Sequence, residues 1–389
     1  MLSASGIDPL ESGNEMPSHR IVFAGHARAA SIPGTTRSSH SHARTVPLTS
    51  RPAPRHAQGE IEITTVTESV GARRIPHVWN SVDTNVALLT VLNEKLAQRD
   101  SDRTFPLPNF GRSESIVVAS DYSGEHRGAP WSCLSFLLLP GLNHRAWEQE
   151  RVQIRERYRL GTRRMAFAKL TDEVKLAALP DFLAAIARQD GLLISVLLRK
   201  DIRSVFEAAG SVSAAKWGAG RCAAWKRDVL EKMLRVTHLA AFFIAGVIRS
   251  GQSVTWITDH DAIAPNPDRF SEMADAFKTI LSYYLGDRRI NALRCGTTAP
   301  AQGLVNLEAE DVAAIPDLAG GALVELFSAI HRESLQLSEH PIPDPSNLSA
   351  KTTDILSWLR TSNPLRHLIY TVERQGTDQI AIIDANIRA

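Results

Sequence analysis

From residue 114 onward, apolar positions alternate between short unbroken runs and longer stretches in which they recur every third or fourth residue. The runs over 115–121 and 131–139 flank the turn-rich Gly124-Glu125-His126-Arg127-Gly128-Ala129-Pro130 and predict a β-hairpin. A charged helix over 143–158 follows. Next come a strand over 163–169, a helix over 171–188 opened by Thr171-Asp172-Glu173, and a fully apolar strand over 192–198. Helices over 201–209 and 222–250 lead to a strand over 253–258. The helix over 268–285 carries Met273, Phe277, Ile280, Leu281 and Tyr284 on one face, with Asp268 as a cap. A short strand over 290–294 and a long helix over 308–333 end the series. An opening hairpin followed by strands separated by helices predicts an α/β fold, a mixed sheet with helices on both faces.

Outside this region the pattern changes. Residues 1–59 are rich in Ser, Pro, Gly, Arg and His without apolar periodicity, which predicts a disordered tail. His40 and His42 in Ser-His-Ser-His have no fixed partners there and read as solvated. Residues 60–113 form an N-terminal adornment, with a β-prone run over 61–66 and a helix over 82–98 that gathers Val86, Leu89, Val91, Leu92 and Leu96. The main domain spans 114–336. Beyond it, 337–389 adds a helix over 349–360 and a hairpin from 368–372 and 379–383, an extension whose role the pattern does not disclose.

Composition refines the picture only slightly. With 389 residues, 43% of them hydrophobic, the chain can bury a substantial core. A net charge of +2 neither requires nor excludes a nucleic-acid partner, because a local basic groove suffices for one. Cys133, Cys222 and Cys295 are odd in number and widely spaced, which excludes a disulfide framework or a paired zinc motif and points to a reducing, cytoplasmic setting. The apolar stretch Leu239 to Ile248 falls short of the ~20 residues of a membrane span and reads as a buried helix; no secretory signal pattern and no membrane partner are expected.

Candidate chemistry lies in the acids at element ends. Asp121 closes the first strand, Asp259 closes the strand over 253–258, Asp261 follows two residues later, and Asp317 opens the apolar helical stretch Leu318-Ala319-Gly320-Gly321-Ala322-Leu323-Val324. Ligands of mixed α/β sheets gather at the carboxyl ends of strands. Taken singly, such an Asp is most often a turn former or a helix cap. Gathered, these carboxylates either bind a hard cation such as Mg²⁺ or share protons. Gly320 and Gly321 would let their helix approach the sheet closely. No phosphate-binding P-loop, dinucleotide fingerprint or nucleophile elbow is present.

Asp121-Tyr122-Ser123-Gly124 resembles the Asp-Glu-Ser-Gly signature of the RNase H-like domain-of-unknown-function family 3800. The stretch Arg164-Met165-Ala166-Phe167-Ala168-Lys169-Leu170 is similar to that family's middle segment. The strand ending at Asp259, and Ile315-Pro316-Asp317-Leu318-Ala319-Gly320-Gly321-Ala322, resemble its later acidic strand and closing helix. The resemblance covers roughly 114–333. It implies an RNase H-like fold in bacteria, often near mobile-element or phage-defence genes, with acidic ligands for Mg²⁺ or Mn²⁺ and hydrolysis of DNA or RNA. On this reading Asp121, Asp259, Asp317 and Lys169 act in catalysis, and Asp121, Glu125, Asp259, Asp261 and Asp317 hold metal. Lys169, at a strand end, would neutralise the scissile phosphate; the plainer reading is a solvated lysine.

The chain departs from the signature at Tyr122, which stands where the family has glutamate. Tyrosine does not replace a carboxylate as a Mg²⁺ ligand at neutral pH, so either Glu125 moves into the site or the site is weakened. Two alternatives therefore stay open. One is a degenerate RNase H-like module that binds nucleic acid or protein without cleaving; the other is a metal-dependent hydrolase of a small phosphorylated substrate. Arg163, Arg164, Arg288, Arg289 and Arg294 could line a backbone-binding groove or simply be solvated, and Lys200 is a weaker candidate still.

Overall fold

A computed structural model describes residues 78–101, 106–205, 225–299, 307–335, 345–375, 379–385 and 387. The expected tail over 1–59, the run over 61–66 and Cys222 lie outside the described residues. Seven strands form one sheet: β1 (Ser115–Ser123), β2 (Trp131–Pro140), β3 (Gly191–Arg199), β4 (Ser253–Thr258), β5 (Ala292–Thr297), β6 (Leu365–Gln375) and β7 (Gln379–Asp384). The helices are α1 (Ala87–Ser101), α2 (Gly141–Arg157), α3 (Glu173–Ala187), α4 (Arg227–Val247), α5 (Pro267–Leu285), α6 (Leu307–Arg332) and α7 (Ala350–Arg360).

The spatial order is β5-β4-β1-β2-β3-β6-β7. β1, β2 and β3 form an antiparallel meander, while β4 runs parallel to β1 and β5 parallel to β4. The fold is thus α/β with a mixed sheet. Because strand side chains alternate between faces, the sheet splits the core in two. Ile116, Val118, Phe136, Ile194 and Trp256 pack against α1, α4 and α5. Ala119, Cys133, Leu137, Leu193 and Ile257 pack against α2, α3, α6 and α7. Both faces being covered explains why β2 and β3 read as continuous apolar runs rather than alternating ones.

Several expectations need correcting. No strand forms over 163–169; a 3-10 turn occupies Phe167–Lys169. Met165 and Leu170 are buried, which mimics a strand pattern, but nearby carbonyls are bound by side chains: Arg155 Nη2 donates to Gly161 O and Arg163 O, each at 2.9 Å. Asp317 does not open a helix. It lies inside α6, which runs through Pro316. The described part of the expected 201–209 helix, 201–205, is a turn, and the rest lies outside the described residues. The C-terminal hairpin has a structural role: β6 pairs parallel with β3 and β7 antiparallel with β6, so both extend the sheet.

α6 is long and apolar enough to cross a membrane by composition, yet 83% of its most apolar window is buried within the protein, as a core helix requires. It packs over β1 and β2. On the opposite face the segment before α1 is stitched to α4: Asn80 Nδ2 donates to Gly246 O at 3.1 Å and Ile248 O at 2.9 Å, and the outer atoms of the Trp79 ring pack against Gly246. Trp79 is itself held, its Nε1 donating to Asn93 Oδ1 at 2.9 Å.

A Cβ at position 246 would stand 2.1 Å from Trp79 Cη2. Gly246→Ala should therefore cost about 1–3 kcal/mol by overpacking, even though alanine is the better helix former. A urea midpoint equal to or above that of the wild type would mean that this segment does not dock as described.

Candidate functional site

The alternation of β1 assigns its last residues to opposite sides of the sheet. Asp121, paired in register with Ser135 of β2, points to the α6 side, whereas Ser120 and Tyr122 point to the α4 side. Asp121 is only 8% exposed. β4 lies beside β1, and Asp259 N donates to Ser120 O at 3.1 Å, which prolongs the parallel ladder by one step and fixes Asp259 near Asp121. The Asp259 carboxylate is oriented by Thr298, whose Oγ1 donates to Oδ1 at 2.8 Å.

α6 supplies the third acid. Asp317 accepts a hydrogen bond from Phe167 N at 2.7 Å and shares another with the Asp121 carboxyl. Such closeness depends on Gly320 and Gly321. A Cβ at 320 would lie 3.0 Å from Ser123 Oγ and 3.1 Å from Ser135 Oγ, and one at 321 would lie 2.3 Å from the Phe167 ring.

Two carboxyls in direct contact cannot both ionise readily. Burial, then the negative charges of Asp317, Asp259 and Asp261, push Asp121 well above the ordinary carboxylate range, against the pull of Lys232. Burial also raises Asp317, to about 6, with Asp259 adding to the shift and the Phe167 N–H opposing it. Both carboxyls therefore resist ionisation in the folded protein, burial being the largest cause for each.

The other acids sit differently. Asp261 turns its Oδ1 to Ile263 N at 2.9 Å, an Asx turn, and its Oδ2 to Lys232. Glu125 pairs with the same ammonium. Lys232 projects from α4 with its Nζ 4.9 Å from the Tyr122 ring centroid. Burial alone would lower this lysine, but the carboxylates of Asp261 and Glu125 raise it, so it stays charged. The Tyr122 hydroxyl is engaged with Ser120 Oγ at 2.9 Å and Thr258 Oγ1 at 2.7 Å, on the face away from Asp121.

The acids therefore form two groups at the carboxyl ends of β1 and β4: Asp121, Asp259 and Asp317 on the α6 side, Glu125 and Asp261 around Lys232 on the α4 side. Among the described residues neither Asp121 nor Asp317 has an ion pair; Arg164 approaches Asp259 at 4.0 Å while binding Glu310 through Nε. Nor, among the described residues, does any group of three His, Cys, Asp or Glu side chains stand set to hold a metal ion. The orientations explain this, since Asp121 and Asp317 face each other and Asp261 faces Lys232.

Lys169 is not at a strand end. Its side chain is exposed in the 3-10 turn, and its carbonyl accepts from Lys175. Of the other basic candidates, Arg288 is spent on the carbonyls of Ala245, Tyr284 and Leu285, Arg163 on Arg159 O, and Lys200 on His126 O; only Arg164 reaches the acids. Sequence reasoning missed Lys232 and Thr298. For Lys232 a signal exists: it shares a helix face with Val236, Leu239 and Phe243, and a lysine in an apolar stripe asks for a partner. Thr298 carries none.

No protein-family model matches this chain, and no curated protein matches it.

The raised acids make stability pH-dependent. Unfolded, Asp121 and Asp317 ionise near pH 4; folded, Asp317 holds its proton to about 6 and Asp121 is raised as well. The native state then binds more protons in this window, so their stabilising contribution is complete below about pH 4 and is lost as pH rises through about 6. Glu308, raised to about 7 by burial, acts in the same direction. In chelator, Asp121→Asn should flatten the fall in melting temperature between pH 4 and 7 without abolishing it. Parallel curves for variant and wild type would show that Asp121 is not part of a proton-sharing pair.

Proposed function

We propose that this protein is an RNase H-like, divalent-metal-dependent phosphodiesterase acting on nucleic acid. The carrying observation is the convergence of a buried Asp121 with the half-buried Asp259 and Asp317, from three elements far apart in sequence, with no ion pair to Asp121 or Asp317 among the described residues. Strand order supports it: a three-stranded antiparallel meander continued beyond its first strand by β4 and β5, both parallel to β1, with the acids at the ends of β1 and β4 and on the helix that follows β5. The family resemblance at Asp121-Tyr122-Ser123-Gly124 points the same way.

The donor set fits a hard cation. Carboxylate oxygens suit Mg²⁺ or Mn²⁺, whereas zinc is held mostly through Cys and His. Asp121, Asp259 and Asp317 would hold it, the proton shared by Asp121 and Asp317 leaving as it binds. When bound, such an ion supplies a nucleophilic water and stabilises charge on the phosphoryl oxygens. The chain's own residues do the rest: Thr298 fixes the Asp259 rotamer, the Phe167 N–H fixes Asp317, and Arg164 offers a guanidinium at the rim for a backbone phosphate.

A second reading, a nucleic-acid or protein binding module that has lost cleavage, is favoured by Tyr122 and by the absence, among the described residues, of a ready three-residue metal group. Hydrolysis of a small phosphorylated substrate would use the same acids. Calorimetric titration with Mn²⁺, followed by cleavage assays on labelled single- and double-stranded DNA and RNA, separates these.

Mn²⁺ binding should release protons and weaken as pH falls below about 6, because the ion competes with protons for Asp317. Asp121→Asn should lower cleavage by several orders of magnitude while the fold survives. Asp259→Asn should weaken Mn²⁺ more than Asp261→Asn, since Asp261 is committed to Lys232. If the wild type binds no divalent ion and cleaves nothing, the binding module is the correct reading.

A further inference from the structure

The acids around the site do not share one electrostatic environment, and the difference is made by a single side chain. Lys232 is largely buried, its side chain 16% exposed, and it contacts both Asp261 and Glu125. Its ammonium lies over the Tyr122 ring, where cation–π attraction adds to the ion pairs. Asp121 feels that positive charge from the other side of β1. On the α6 side the nearest guanidinium, Arg164, approaches Asp259 at 4.0 Å and acts on Asp317 without forming an ion pair with it.

We propose that Lys232 is the built-in second cation of this site: its ammonium neutralises Asp261 and Glu125, so that Asp121, Asp259 and Asp317 take one divalent ion rather than two. The proposal rests on the metal-dependent reading above and deepens it. Ligand supply supports it. Three carboxylates leave open positions around one octahedral ion for water or a phosphate oxygen, whereas a second ion would need the oxygens of Asp261 and Glu125, which Lys232 already holds. Tyr122 is part of the same arrangement. A carboxylate at position 122 would project on the α4 face, beneath Lys232, whereas the tyrosine there supplies a ring for the ammonium to rest on and a hydroxyl bound to Ser120 and Thr258. Lys232 thus acts as a positioning residue.

The test is the stoichiometry of Mn²⁺ binding to the full chain, measured by calorimetry and by electron paramagnetic resonance of free Mn²⁺ at pH 7.5. Wild type should bind one ion. Lys232→Met, with Asp261 and Glu125 released, should bind a second, and Lys232→Met/Asp261→Asn should return to one. Lys232→Arg keeps the charge and should stay at one, which guards against a Met variant that folds poorly. Two ions in the wild type would overturn the proposal while leaving the metal-dependent reading intact. A single ion in a folded Lys232→Met variant would likewise reduce Lys232 to an ordinary ion-pair anchor. No ion in the wild type or in any variant would refute the metal-dependent reading itself, and the role of Lys232 with it.

Discussion

α6 lies over β1 and β2 with the Phe167 turn pressed against it so closely that position 321 admits only glycine, and the site follows from that approach. Two glycines inside a helix cost about 1 kcal/mol each relative to alanine. Here a methyl group at position 321 would stand 2.3 Å from the Phe167 ring, and one at 320 would press on Ser123 and Ser135. The propensity loss is therefore smaller than the clash that alanine would bring at 321. With the helix seated so low, Asp317 meets Asp121 across the interface, and the Phe167 N–H closes over it. The 3-10 turn at Phe167–Lys169 belongs to the same contact, because it carries both the ring under Gly321 and the donor to Asp317.

The sheet then separates two kinds of acid that are neighbours in sequence. Residues 121 and 122 are adjacent, yet alternation sends one into the α6 layer and the other into the α4 layer. Tyr122 for this reason does not stand beside Asp121. It lies on the α4 side, under the Lys232 ammonium that gathers Glu125 and Asp261. On the α6 side Gly124 matters more: its φ of +82° and the Trp131 carbonyl, 2.4 Å from where a Cβ would lie, leave no other residue for that turn.

The elements legible in the sequence are those whose burial pattern and backbone bonding agree. The β1–β2 hairpin, β4 and α5 have apolar runs of the right period bounded by turn or cap residues, as at Asn266 before Pro267. The strand expected over 163–169 is absent because burial of Met165 and Leu170 says nothing about where the carbonyls of Gly161 and Arg163 find donors. Pro316 misleads in another way. It looks like a helix start, so Asp317 reads as a first-turn residue, although α6 passes straight through it. For the site, strand ends locate Asp121 and Asp259. The partners that decide the chemistry of Asp121, Asp259 and Asp317, namely Lys232, Thr298 and the Phe167 N–H, lie 111, 39 and 150 residues away in the chain, and no local pattern encodes those meetings.

α6 itself supplies the contrast that gives the unpaired acids their meaning. Asp311, fully buried on the same helix, is met by Arg155 Nη1 at 2.7 and 2.9 Å and by Arg151 Nη1 at 3.0 Å. That is how this fold buries a carboxylate for structural purposes: two guanidiniums from α2 cover the charge. Asp317, less than two turns further along, receives a backbone N–H and another acid. A carboxyl pair held without an ion pair, at the carboxyl ends of two adjacent strands, disfavours its own ionisation and contributes least to stability near neutral pH. Burial raises both acids, each to about 6. The difference between Asp311 and Asp317 is therefore one of partners: two guanidiniums answer the first carboxylate, whereas a backbone N–H and another acid meet the second.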